Sequence, residues 1–83
     1  MPDKRFVYIL KNEREPARYY VGLTSDPDRR LRSHNEGHCR FTSNGRPWRF
    51  DVVVEFTDEA RAIAFERYLK SGSRHAFANK RLW

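Results

Sequence analysis

Two short runs of β-branched and aromatic residues near the start of the chain constrain its fold most strongly. They are RFVYILK, residues 5–11, and RYYVGL, residues 18–23, and the polar stretch NEREPA with its proline separates them. Valine, isoleucine, tyrosine and phenylalanine favour extended backbone, and proline interrupts a strand. The pattern therefore predicts a β-hairpin, and a loop centred near Arg14 would place Tyr8 directly opposite Tyr20.

A helix is predicted immediately after the hairpin. Ser25 or Asp26 can cap it, because both side chains accept hydrogen bonds from free backbone N–H groups. Pro27 suits the first helical position, where its missing N–H costs nothing. The helix should continue to about Asn35 and stop at Gly37.

The next segment, residues 37–48, holds two glycines and a proline without any period, and we expect a loop with at most a short helical turn. RFDVVVEF, residues 49–56, then alternates along its length, which predicts a strand. The residues that this alternation would place on one face are Phe50, Val52, Val54 and Phe56.

A second helix should be capped by Thr57 or Asp58 and extend from Glu59 to about Ser71, with a last helical turn in residues 73–83. The order β-β-α-loop-β-α predicts an α+β fold, a small three-stranded antiparallel sheet flanked by helices, forming one domain over 1–83. The third strand could reach either edge of the hairpin, so the strand order stays open.

Length and composition exclude several classes of protein. A chain of 83 residues has room for one core and no second lobe. Cys39 is the only cysteine, which excludes an internal disulfide, and we interpret it as a bystander. The N-terminal apolar run has five residues, too few for a signal peptide or a membrane span. A cytoplasmic protein without membrane contact is expected.

The charge indicates a polyanionic partner. Lysine and arginine total 17 against 11 acidic residues, a formal net charge of +6, and thirteen of the cations are arginine, whose planar fork suits phosphate. The excess concentrates in the middle third of the chain, at Arg29, Arg30, Arg32, Arg40, Arg46 and Arg49. The alternative is that this charge serves solubility alone.

Several residues have the types and spacing of a hydrolytic site. Arg30 and His34 stand four apart and project from one helix face, and Gly22 permits close approach at a strand end. Glu66 lies at the border of an apolar helix face. Each also has a simpler interpretation: the tyrosines as sheet aromatics, the arginine and histidine as surface groups, and Glu66 as the i,i+4 partner of Lys70.

Taken together, the ordered set resembles the GIY-YIG nuclease family. Val7-Tyr8-Ile9 is similar to the first tripeptide block and Tyr20-Val21-Gly22 to the second. Arg30 falls eight residues after Gly22, His34 follows one helical turn later, and Glu66 lies within FERYLKSGS. The resemblance extends from Phe6 to about Phe77 and is greatest to minimal, stand-alone bacterial members. The family's first glycine is absent, and Leu23 stands where some members have lysine.

This resemblance implies a divalent-metal-dependent endonuclease that hydrolyses phosphodiester bonds in DNA. Glu66 would bind one Mg²⁺ or Mn²⁺ ion, and Arg30 would neutralise the phosphate. Tyr8 and Tyr20 would position and deprotonate a water, with Tyr8 preferred as the base. Arg30, His34 and the ion would lower the tyrosine pKa towards neutrality.

The resemblance also implies a DNA-binding surface. Its expected members are Gly22, Arg29, Arg32, Arg40, Arg46 and Arg49, with Asn79 as a weaker candidate. A chain this small would recognise branched or single-stranded DNA rather than sequence, with a partner protein or a second copy as an aid. The alternative is a nucleic-acid-binding module that has kept the fold and lost turnover.

Overall fold

The computed structural model describes residues 5–73, with side chains through Ser71. The elements are β1 (Arg5–Asn12), β2 (Tyr19–Thr24), α1 (Pro27–Asn35), β3 (Trp48–Phe56) and α2 (Glu59–Tyr68). A 3₁₀ turn, Ser43–Gly45, precedes β3, and a π-helical turn, Leu69–Ser73, continues α2. The predicted α+β fold is confirmed. Two predictions lie outside the described residues: the helical turn near the C-terminus and the candidate Asn79.

The three strands form one antiparallel sheet in the order β2-β1-β3, so β3 pairs with the free edge of β1. In the hairpin, Tyr8 pairs with Gly22 and Leu10 pairs with Tyr20. The prediction that the two tyrosines stand directly opposite each other is therefore wrong. They are diagonal neighbours on one face, with ring centroids 6.3 Å apart.

Asn12 explains the difference in register. Its side chain is fully buried, and its Oδ1 accepts the Arg18 N–H at 2.8 Å while its own N–H donates to the Arg18 carbonyl at 3.1 Å. These bonds close the hairpin between residues 12 and 18, so the loop is centred on residue 15 instead of 14. When the centre of the loop moves by one residue, the cross-strand partner of every residue in the hairpin moves by two residues.

A β-bulge interrupts the pairing of β1 with β3. Ile9 pairs with Val52 but Leu10 pairs with Phe50, which leaves Asp51 as the extra residue. The prediction that Phe50 shares a face with Val52 is wrong for this reason, because the extra residue turns Phe50 to the face of Tyr8. The Phe50 ring meets the Tyr8 ring edge-on, with centroids 6.2 Å apart.

Helices cover both faces of the sheet and create two small cores. On one face, Val7 and Ile9 pack with Ala62 and Leu69 from the α2 side. On the other, Tyr8, Leu10 and Trp48 form the buried cluster against which Tyr20, Leu31 and Phe50 pack. Because β1 is central, its alternate side chains enter both cores.

The two helices begin where the caps were predicted. The Asp26 carboxylate accepts the Arg29 N–H at 3.2 Å, and the Asp58 carboxylate accepts the Ala60 N–H at 3.0 Å. After α1, Gly37 adopts a φ of 83°, a left-handed conformation that favours glycine. These caps set the start and end of α1, which carries Arg30 and His34.

Asn35 fastens the end of α1 to the start of β3, and its removal should destabilise the fold. Its Nδ2 donates to the Trp48 carbonyl at 2.9 Å, and its Oδ1 accepts the Trp48 N–H at 2.6 Å. Asn35→Ala leaves both backbone groups without these partners, and we expect a loss of about 1–3 kcal/mol in the free energy of unfolding, measured in urea. The exposed Asn44→Ala is the matched control. Equal midpoints for the two variants would contradict the assigned role.

Candidate active site

Tyr8 lies at the centre of the candidate site. It is fully buried on the central strand, and its hydroxyl is 2.9 Å from His34 Nε2. Opposite it, Gly22 leaves the space that the Tyr8 ring and hydroxyl fill, since a Cβ on Gly22 would overlap both. Gly22 thus makes room for a site side chain, and its contact with nucleic acid stays a prediction.

His34 is held from both sides in the last turn of α1. Its Nδ1 lies 2.8 Å from Thr42 Oγ1, and the Thr42 hydroxyl donates to the Cys39 carbonyl at 3.4 Å. A neutral imidazole carries one ring proton, so His34 donates to one of the Tyr8 and Thr42 hydroxyls and accepts from the other. Burial and the nearby Arg30 cation lower the pKa of His34, so the imidazole is neutral at pH 7.

Arg30 brings a cation to the Tyr8 hydroxyl. Hydrogen bonding to Tyr8 raises the pKa of Arg30, although partial burial opposes the shift. The Arg30 Nε is buried, and no atom of the described residues accepts a hydrogen bond from it. A buried guanidinium donor without a partner is costly, so this group is suited to an incoming acceptor.

Tyr20 lies on the solvent side of the cluster. Its side chain is half-buried, and its ring centroid is 4.9 Å from that of His34. Burial raises the pKa of Tyr8 and of Tyr20, Arg30 opposes the shift at both, and the Cys39 sulfur adds to it at Tyr20. The expected lowering by Arg30 is present, but burial outweighs it.

Glu66 reaches the same region from α2. Its negative charge makes a minor contribution to the raised pKa of Tyr20, after burial and Cys39. The Glu66 side chain is 18% exposed, and its Oε2 lies 3.1 Å from Lys70 Nζ, so the predicted i,i+4 pair is confirmed. In residues 5–73 no three His, Cys, Asp or Glu side chains cluster as metal ligands. A cation at Glu66 would take its other ligands from water and substrate.

Thr42 and Cys39 belong to the site although their sequence context did not indicate it. Thr42 is fully buried and orients His34, while the Tyr20 hydroxyl is one of the groups that lower the pKa of Cys39. Burial raises the pKa of Cys39, but bonds from the Thr42 hydroxyl and the Phe41 and Thr42 N–H groups outweigh it and lower the pKa. Both residues come from an irregular loop, where no period marks an inward-facing position.

The predicted DNA-binding arginines occupy two regions. Arg29 adjoins Arg30 at a pocket of about 300 Å³ lined also by Thr24, Ser25, Asp26 and Ser33. Arg32 is exposed on α1. Arg40, Arg46 and Arg49 are exposed on the loop before β3 and at its start. Their contact with DNA stays a prediction.

Comparison with known proteins decides the family. A model of the GIY-YIG catalytic domain matches residues 4–81. The chain belongs to the GIY-YIG family. This match supports the predicted class of enzyme, a nuclease, and two of the relatives are named structure-specific endonuclease subunits.

Yeast proteins are among the relatives of this GIY-YIG domain. The chain is 43% identical over 73 residues to the structure-specific endonuclease subunit SLX1 of Scheffersomyces stipitis, covering 80% of the chain and 22% of that protein. It is 40% identical over 89 residues to the subunit of the same name from Candida dubliniensis, covering 99% of the chain and 30% of that protein. The chain thus spans less than a third of these relatives. They do not single out the minimal bacterial type that the resemblance suggested.

Two further predictions concern the cellular location of the protein and the extent of the domain. No helix in residues 5–73 combines the length and apolar character needed to cross a membrane. The cytoplasmic location and the single-domain assignment of 1–83 stay predictions.

The buried neutral His34 should make stability depend on pH. Its folded pKa is below the ordinary value of 6.5, so the unfolded chain binds its proton first as pH falls. The contribution of neutral His34 to the free energy of unfolding is complete above pH 6.5 and is lost as pH drops through the folded pKa. Urea midpoints measured from pH 7.5 to 5 should fall more steeply for the wild type than for His34→Gln. The exposed His38→Gln should keep the wild-type slope, and a steep slope in His34→Gln would contradict the assignment.

Proposed function

We propose that this domain is a divalent-metal-dependent endonuclease that hydrolyses phosphodiester bonds in branched DNA. The observation that carries the proposal is the cluster of Tyr8, Tyr20 and His34 beside the Arg30 cation, and the proposal adds Glu66 from α2 as the carboxylate. Tyr8, Tyr20, Arg30 and His34 form one contact cluster, and the charge of Glu66 acts on Tyr20. An acid–base group, a fixed cation and a carboxylate are what phosphodiester hydrolysis requires.

Arg30 is the proposed phosphate ligand. Its charge is permanent, and its Nε lacks an acceptor among the described residues. A phosphate oxygen is a suitable partner, since a guanidinium can bind two such oxygens with parallel N–H groups. Hydrogen bonding to Tyr8 raises the pKa of Arg30, so a positive charge would stand at the site before substrate arrives.

The two tyrosines have different proposed roles. Tyr8 has no exposed surface, and its hydroxyl is engaged by His34 and Arg30. Tyr20 is half-buried and is the tyrosine that bulk water can reach. We assign Tyr20 to contact the attacking water and Tyr8 to hold Arg30 and His34, which reverses the preference expected from the sequence.

Glu66 fits a single hard divalent cation. Its carboxylate is partly buried and firmly placed, yet its partner Lys70 is half exposed and can move away. Mg²⁺ binds proteins through one or two carboxylates and keeps several waters. When bound, the ion would supply positive charge at the scissile phosphate. Mg²⁺ rather than Mn²⁺, and one ion rather than two, are parts of the proposal.

The proposed substrate class follows from the relatives and the surface. The fungal relatives are named structure-specific endonuclease subunits, and the predicted DNA-binding arginines of this chain are exposed. A cationic surface without an evident reading helix favours backbone and shape over base sequence. The word subunit in those names supports a partner protein, and a second copy of the chain is the other arrangement that we propose to test.

The raised tyrosine pKa values favour one alternative, a DNA-binding module without turnover. Burial makes a phenolate scarce at neutral pH. This alternative predicts binding that weakens with salt, with no cleavage in any divalent metal.

Removing the cation or the carboxylate tests the enzyme assignment. Arg30→Ala and Glu66→Gln should each lower the cleavage rate on a branched DNA in Mg²⁺ about 100-fold or more, and EDTA should abolish cleavage. Single-turnover rates on end-labelled DNA measure the effect. Arg61→Ala and Glu13→Gln, both exposed, are matched controls that should cleave like the wild type. Cleavage that survives in Arg30→Ala or Glu66→Gln would contradict the assigned roles.

Lys70 should compete with the metal for Glu66. The ammonium lies 3.1 Å from the carboxylate, so an arriving ion must displace it. An exposed i,i+4 pair is weak, and we therefore expect Lys70→Ala to lower the half-saturating Mg²⁺ concentration about twofold. Cleavage rates over a Mg²⁺ titration give this value. Arg67→Ala, an exposed charge on the same helix, is the control, and an equal shift in both variants would mean a general charge effect.

A further inference from the structure

Phe41 is the most exposed of the large hydrophobic side chains that the structure describes as exposed. Its exposed fraction is 76%, against 41% for Val53 and 45% for Tyr68, whose ring also stacks on Phe65. Single exposed apolar side chains are ordinary on protein surfaces. The position of Phe41, more than its exposure, is therefore what indicates a function.

The backbone around Phe41 is firmly held. On its C-terminal side, Thr42 is fully buried, and its carbonyl accepts the Trp48 indole N–H at 2.7 Å. The Thr42 N–H donates to the Cys39 carbonyl at 3.2 Å, which closes a tight turn around Phe41. The loop thus presents the aromatic ring from a fixed support, which lowers the entropic cost of using it in binding.

The surface around Phe41 is cationic. Residues 37–50 contain no aspartate or glutamate but include Arg40, Arg46 and Arg49, all of them exposed. An apolar protein partner would leave these charges without counterions. A nucleic acid satisfies both features, because phosphates neutralise the arginines and a base offers a flat face to the ring.

The same loop contacts the candidate active site. Thr42, next to Phe41, lies 2.8 Å from His34 Nδ1 through its hydroxyl oxygen. A base held on Phe41 would therefore be positioned relative to the catalytic cluster by the short turn 39–42.

We infer that the Phe41 ring stacks on an unpaired base where a DNA strand branches. This contact would favour branched over continuous duplex DNA, because only a branch offers an unstacked base without the cost of opening pairs. The inference rests on the proposed action on branched DNA. In this inference Phe41 determines which DNA is bound, and it does not touch the reacting phosphate.

Binding and crosslinking test the inference in a Glu66→Gln background, where DNA stays intact. Phe41→Ala should weaken binding to a flap DNA with unpaired bases about 5- to 100-fold and change duplex binding less than about twofold. Phe41→Trp should retain flap binding, and Phe41→Leu should lose it nearly as fully as alanine. Val53→Ala, another exposed apolar position, is the control. A 5-iododeoxyuridine at the unpaired position should photocrosslink to Phe41, as mapped by mass spectrometry.

The outcomes separate this inference from the proposed function. In one outcome, the wild type cleaves DNA but Phe41→Ala binds flap DNA as tightly as the control. That result would overturn the stacking contact without contradicting the proposed nuclease activity. In another outcome, Phe41→Ala selectively loses flap binding and Phe41 crosslinks to the base, but the wild type never cleaves DNA. That result would support the stacking contact and reject the proposed nuclease activity. Stacking would also be overturned if Phe41→Ala weakened binding to flap and duplex DNA equally. The same holds if Phe41→Leu bound flap DNA as tightly as Phe41→Trp.

Discussion

The hydrogen bond between the Tyr8 hydroxyl and His34 Nε2 joins the centre of the sheet to the end of α1, and the rest of the site depends on it. It requires a tyrosine whose ring passes over the neighbouring strand, which only a glycine at position 22 permits. It also requires an imidazole held in one orientation, and Thr42 contacts its other ring nitrogen at 2.8 Å. The bond therefore couples three distant segments: the hairpin, α1 and the irregular loop.

Burial, more than charge, sets the protonation states in this cluster. The imidazole is kept neutral and both phenols are kept protonated, even with the Arg30 cation beside them. Apart from Arg30, the buried centre is therefore uncharged in the free protein. A phosphate and its counterion would change this balance on arrival, because they would bring charge of both signs into a region of low dielectric constant.

The elements of the fold were predictable where local chemistry decides them. Asp26 and Asp58 cap the helices because their short carboxylates can reach free N–H groups, and this depends on nearby residues alone. For these caps the signal lies within a few positions of the residue concerned. Tyr8, Arg30 and Glu66 were identified through the ordered family motif, and their catalytic roles stay predictions.

The features that sequence could not provide depend on contacts between distant residues. Asn12 sets the hairpin register through a buried side chain, and Asp51 enters a bulge that no local preference marks. Thr42 and Cys39 face inward from a loop without periodicity, so their contacts with His34 and Tyr20 follow only from the packed structure. Burial raises the pKa of both tyrosines when no ion is bound, and its extent is a tertiary property that the sequence does not give.

The strand order has a consequence for the synthesis of the chain. The first strand made, β1, is the central one, and its second partner, β3, ends only at Phe56. Until that residue has left the ribosome, the nascent hairpin displays an unpaired edge together with the apolar side chains of both cores. Such an edge is a template for pairing with other chains, so aggregation during expression should depend on how quickly the polypeptide between Asn12 and Trp48 closes into its native loop.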